Sequence, residues 1–181
     1  DFASLASSIG REKALYFYRS YVEAVNTVER LTQEHDIDCD FRRCGRLKLA
    51  AKPEHFEKLE KSFDILRDGV DENVELISPQ KIQDEIGSTL FHGGLLQSTS
   101  AQMHVGKFGV GLAEAATRKG VKIFENARVS GYNRLSKGEY EIDISGHNLI
   151  SKQILVATGG HGKSPFGWFR RRIVPVGSFA V

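Results

Sequence analysis

The strongest chemical pattern in this chain is a strand end. Residues 154–160 read Ile154-Leu155-Val156-Ala157-Thr158-Gly159-Gly160, an apolar run closed by a small residue, a hydroxyl and a glycine pair. An apolar run without alternation suits a strand covered on both faces, as in an α/β sheet. A glycine pair at its end removes Cβ atoms where another backbone or a ligand would come close. In open α/β sheets, ligands sit beyond the carboxyl ends of strands. The other candidates are weaker. Cys39 and Cys44 are the only cysteines, and no second pair completes a zinc site. They read as reduced thiols, with a disulfide or redox pair as the alternatives. His35, His55, His92, His104, His147 and His161 are scattered without ligand spacing, so no metal is expected. Arg170-Arg171-Arg172 is either a solvated patch or a phosphate or substrate contact. Gly-x-Gly-x-x-Gly, Gly-x-x-x-x-Gly-Lys-Ser/Thr, His-Glu-x-x-His and Gly-x-Ser-x-Gly are all absent from the sequence. Motifs alone therefore define no self-contained active site, and catalytic residues stay unassigned.

The elements that must position the 154–160 stretch can be read in order. Residues 11–35 place Leu15, Tyr18, Val22, Val25, Val28 and Leu31 at three- and four-residue steps, which predicts a long helix with one buried face. Tyr16, Phe17 and Tyr21 thicken that face as core packing, with a ligand contact as the alternative. Residues 45–50 alternate as a strand, and Pro53 opens a helix whose stripe is Phe56, Leu59, Phe63 and Leu66. A short strand at 74–77 leads through Ser78-Pro79 to a short helix carrying Ile82 and Ile86. Residues 90–96 read as a strand broken at Gly93-Gly94, by a bulge rather than a phosphate loop. Residues 104–119 predict a helix with Val105, Phe108, Leu112, Ala115 and Ala116 inward, followed at Gly120 by a strand over 121–125. Strands at 128–135, 139–145 and 149–156 then form an antiparallel meander that feeds the buried strand end.

Composition narrows the classes. Hydrophobic residues are 40% and charged residues 27% of 181, with a formal charge of +2. That balance makes no case for a nucleic-acid partner. No window approaches the roughly 18 apolar residues of a membrane span. The opening residues Asp1-Phe2-Ala3-Ser4 carry no basic-then-apolar leader, so a cytoplasmic protein is expected.

Four stretches, in order, resemble FAD-dependent oxidoreductases of the D-amino-acid oxidase and glycine oxidase superfamily. They are Ile37-Asp38-Cys39-Asp40 with Cys44-Gly45-Arg46-Leu47-Lys48-Leu49-Ala50; Leu112-Ala113-Glu114-Ala115-Ala116 with residues 120–129; residues 154–160; and residues 170–178. The likeness is greatest to γ-glutamylputrescine oxidoreductase-like enzymes. It implies an α/β fold of mixed α+β character: a partial FAD-binding domain of glutathione-reductase type with a β-meander, plus part of a mixed-sheet substrate domain. The implied division is a helical segment at 1–36, substrate domain at 37–100, the second half of the FAD-binding domain at 101–164, and a return strand at 165–181. By the same resemblance the cofactor is FAD. The Val129 backbone would meet the adenine, and Ala157, Thr158, Gly159 and Gly160 would lie beside the ribose and pyrophosphate. Val129 as an ordinary strand residue is the alternative. The implied reaction is oxidation of the C–N bond of a small amine or amino acid. An enzyme acting on a 2-hydroxy acid or glycerol phosphate, and a non-catalytic binding domain, are the alternatives. Family members also carry an N-terminal βαβ unit with a glycine fingerprint and a C-terminal segment, neither of which is in this sequence. The expectation is thus an internal fragment that is apo, catalytically silent and prone to self-association.

Overall fold

The stripe read over residues 11–35 becomes α2 (Arg11–Glu34), preceded by a helix the pattern did not reveal, α1 (Phe2–Ile9). The two meet at Gly10 and pack on each other, with the Phe2 ring edge-on to Tyr18 at 6.1 Å between centroids. The computed structural model describes residues 2–159 and 167–174, and it divides into two compact units, residues 1–121 and 122–181.

In the first unit, β1 (Arg46–Leu49), β2 (Val74–Ile77) and β3 (Gly94–Gln97) form an antiparallel sheet with β3 in the centre. The helix α3 (Pro53–Arg67) starts at its proline, as expected, and packs over β2 and β3. Leu66, Val74 and Leu95 are buried with Phe2 and Ala14, and Leu15, Tyr18, Leu59 and Phe63 pack around them. The core therefore lies between one face of the sheet and three helices. The short α4 (Ile82–Ile86) buries Ile82, whose methyl lies beside Gly94 on the other face.

Three expectations change here. Only Tyr18 of the aromatic cluster reaches the core; Tyr16 and Tyr21 are 73% and 72% exposed, and Phe17 is also exposed. A helix turns about 100° per residue, so Tyr16 and Phe17 leave the face that Tyr18 occupies. Residues 90–93 are loop rather than strand, and Gly93-Gly94 is neither a bulge nor a phosphate loop. Gly94 pairs in register with both Leu49 and Ile77. A Cβ on Gly93, at φ +105°, would lie 2.4 Å from the Phe56 ring and 2.7 Å from the Ile77 carbonyl oxygen. The glycine is there for close packing. On α5 (Val105–Arg118), Phe108, Leu112 and Ala116 are half-buried and Ala115 is buried as expected, but Val105 is exposed.

α5 is seated on the chain that leaves α2. His104 caps it, its Nδ1 accepting from the Lys107 N–H at 3.2 Å, while the His104 N–H donates to the Cys39 carbonyl at 2.7 Å. Gly111 lets the helix approach Ile37, since a Cβ there would lie 2.4 Å from an Ile37 methyl. Lys107 and Asp40 pair at 2.8 Å, which holds the Asp40 carboxyl below its usual range and raises the Lys107 ammonium. Cys39 is buried, Cys44 is exposed, and both are free thiols.

The second unit holds the expected meander as β4 (Val129–Arg134), β5 (Tyr140–Ile144) and β6 (His147–Ser151), in that spatial order, with Ile142 buried. β6 starts two residues before the expected 149 and ends at Ser151 rather than 156, because the turn falls at Ser145-Gly146, both at positive φ. A one-turn helix, α6 (Gly167–Arg170), follows. The strands expected at 121–125 and 154–157 do not form. Phe124 is 73% and Leu155 91% exposed, and residues 122–125 and 154–158 make no backbone hydrogen bonds among the described residues. A strand exists only beside another strand, and nothing described pairs with either segment. Among the described residues no helix is long and apolar enough to cross a membrane.

Candidate functional site

The second unit carries the residues singled out for a ligand, and its local chemistry starts at β4. Its sequence, Val129-Ser130-Gly131, interrupts alternation with a glycine, and the β4–β5 register shifts between Val129 and Gly131. Glycine within a strand is the usual signature of such an irregularity. Ser130 turns its hydroxyl onto the Asp143 carboxylate at 2.5 Å, and the other Asp143 oxygen accepts the Gly146 N–H at 3.3 Å. One carboxylate thus ties the irregularity to the hairpin turn at the far end of β5. The shift and its anchor were not foreseen; Gly131 was the signal available in the sequence.

Val129 opens β4, half-buried and opposite Ile144. β4 is an edge of its sheet, so half of its backbone donors and acceptors face away from β5. Ala157, Thr158 and Gly159 are exposed in a segment without sheet pairing. Gly159 has φ +57°, and a Cβ built there meets no atom within 4 Å. Space around it is open, but its backbone conformation is one that branched residues avoid. Among the described residues no hydrogen bond joins the 157–159 segment to β4. Gly160 lies outside the described residues, as do the side chains of Phe169 and Arg170. Arg171 and Arg172 are exposed, and the Arg172 guanidinium stacks 4.0 Å from the Trp168 ring centre while donating to the Trp168 carbonyl at 3.2 Å. Among the described residues no group of three His, Cys, Asp or Glu side chains could hold a metal ion.

The outer edge of β4 at Val129 leaves backbone groups open to a partner, and the segment 157–159 is exposed with open space around Gly159; no contact between the two is present among the described residues. No Gly-x-Gly-x-x-Gly is present to cradle the phosphates.

The chain is a mixed α/β fold with small antiparallel sheets, and comparison with known proteins gives its family. The family model for FAD dependent oxidoreductases (DAO) matches residues 3–181, and the chain belongs to that family. It is 26% identical over 178 residues to the probable oxidoreductase OrdL of Haemophilus influenzae, covering 96% of this chain and 41% of that protein. It is 23% identical over 130 residues to the γ-glutamylputrescine oxidoreductase of Escherichia coli, covering 72% of this chain and 30% of that protein. Among solved structures, glycine oxidase from Geobacillus kaustophilus superposes with a TM-score of 0.68 at 20% identity, over 83% of this chain and 40% of that one. The chain therefore spans about two fifths or less of the relatives it matches.

Proposed function

We propose that this chain supplies the adenosine side of an FAD site in an oxidoreductase that oxidises the C–N bond of an amine or amino acid. The observation that carries the reading is the family match across residues 3–181, which includes the meander and the exposed segment ending at Gly159. In this reading the outward backbone of β4 at Val129 receives the adenine, and Ser130 and Asp143 hold that edge in place. In the same reading Ala157, Thr158, Gly159 and Gly160 lie beside the ribose and pyrophosphate. When bound, FAD would supply the hydride-accepting chemistry for oxidation at the carbon next to nitrogen. The chain's own part is binding and orientation.

Support also comes from what the exposed segments lack. Ile123, Phe124 and Leu155 are exposed apolar residues in strand-like sequence with no strand partner among the described residues. In the proposed enzyme, strands of a phosphate-binding βαβ lobe pair with them and complete the cleft.

The test is flavin absorbance per chain on the intact protein, expressed with whatever coding sequence flanks these residues. Gly159→Val should lower FAD occupancy about tenfold at limiting FAD while leaving the circular dichroism unchanged. Flavin content equal to wild type would mean that the glycine serves only the turn. Oxidation of amines and amino acids, with 2-hydroxy acids and glycerol phosphate unreacted, is the expected substrate profile. The reverse profile would overturn the C–N assignment.

A further inference from the structure

A cleft of about 450 Å³ in the first unit opens beside the core. Its floor is the helix-facing side of β1 and β3, where Arg46 stands opposite Gln97 and Lys48 opposite Leu95. Its walls are helical: Phe2 and Leu5 from α1, Tyr18 from α2, and Ile65 and Leu66 from α3. The cleft exists because α3 covers β2 and β3 but leaves the β1 face open. A volume of this size is ordinary for a small-molecule site, and an apolar lining with a few convergent polar groups is the usual composition.

The charge pattern is what distinguishes it. Arg46 and Lys48 sit two residues apart on one strand and so point to the same face. No acidic residue is among those lining the cleft, and among the described residues neither cation's side chain has a hydrogen-bond or ion-pair partner, whereas Arg11, Arg30, Arg43 and Lys107 each have a carboxylate partner. A strand facing a core would ordinarily turn apolar residues inward; this one places half-buried Lys48 opposite Leu95, with Arg46 exposed at the rim of the same face.

We infer that the cleft binds a small amphipathic carboxylate, its head held between Arg46 and Lys48 and its apolar body lying against the partly exposed Leu5, Tyr18 and Ile65. The Lys48 ammonium is held below its usual value, first by burial and then by Arg46, and an anion placed between the two relieves that repulsion. The inference does not rest on the FAD reading, because no cleft residue belongs to the unit that carries Val129 and Gly159.

The experiment is calorimetric titration of the purified chain with octanoate below its micelle threshold, alongside octanol, octylamine and acetate. Octanoate should bind with a sub-millimolar constant, octanol about tenfold more weakly, and octylamine and acetate not at all. Arg46→Gln and Lys48→Gln, both at the mouth of the cleft, should each weaken octanoate about fivefold without moving octanol. Ala3→Phe, which fills the cleft, should remove both. Equal binding of octanoate and octanol, or octanoate binding indifferent to Arg46→Gln and Lys48→Gln, would overturn the carboxylate assignment. Octanoate binding that survives Ala3→Phe would place the ligand elsewhere and sink the site, as would no octanoate binding at all.

Discussion

Tyr18→Phe tests how the first unit is held together. The phenol donates to Asp71 Oδ2 at 2.5 Å, and Asp71 is only 6% exposed. The second Asp71 oxygen accepts the Asn73 N–H at 2.8 Å, and the Thr99 hydroxyl stands 3.5 Å from the first. Gln97 donates to the phenol oxygen at 3.3 Å, so one hydroxyl links α2, the turn after α3 and the central strand. Removing it leaves a buried carboxylate short of its nearest donor. A hydrogen bond to a charged group contributes about 1.5–3 kcal/mol; because Tyr18 is half-buried and water can replace the phenol, a loss of about 1.5 kcal/mol is expected at neutral pH. The pH dependence has a definite sign. Burial, then the hydrogen bond and charge of Asp71, push the Tyr18 phenol up to about 12. A group whose folded value is raised stabilises fully below its unfolded value, about 10, and loses that contribution as pH rises through the folded value. The Tyr18→Phe deficit should therefore be flat through neutral pH and shrink between about pH 10 and 12. Urea unfolding of both proteins across that range measures it, and the difference in phenolate absorbance follows Tyr18 itself. A variant as stable as wild type at neutral pH, or a deficit that grows on the way to pH 12, would refute the reasoning.

Gly93→Ala should destabilise the first unit by about 3 kcal/mol or more in chemical unfolding, since the new methyl meets the Phe56 ring and the Ile77 carbonyl at a left-handed φ. A loss under about 1 kcal/mol would mean the loop shifts freely to accept the methyl. The exposed Phe124 and Leu155 should drive self-association of the chain, and Phe124→Ser with Leu155→Ser should move it toward monomer in light scattering. A wild-type chain that is already monomeric at high concentration would remove that expectation.

Much of the framework was legible in the residues. The stripe of α2, the proline start of α3, the strands β1 and β2, the end of α5 and the three strands of the meander all follow from local periodicity and turn residues. These are properties a short segment carries with it, because an amphipathic face or a turn glycine acts on its immediate neighbours. The family was legible too, because the order of matching stretches survives without any contact being known. The tertiary structure decided what depends on a partner. Tyr16 and Tyr21 looked like Tyr18 in the sequence, but only Tyr18 faces Phe2 and Asp71. Gly93 looked like a bulge until Phe56 and the Ile77 carbonyl were seen against it. Residues 121–125 and 154–157 are strand-like in composition, yet a strand needs hydrogen-bonding neighbours that no local pattern supplies. The cleft beside Arg46 and Lys48 was likewise invisible in the sequence, where the pair is an ordinary polar alternation; only α3 packed over β2 and β3, with α1 and α2 lining the other walls, makes it the mouth of a cavity.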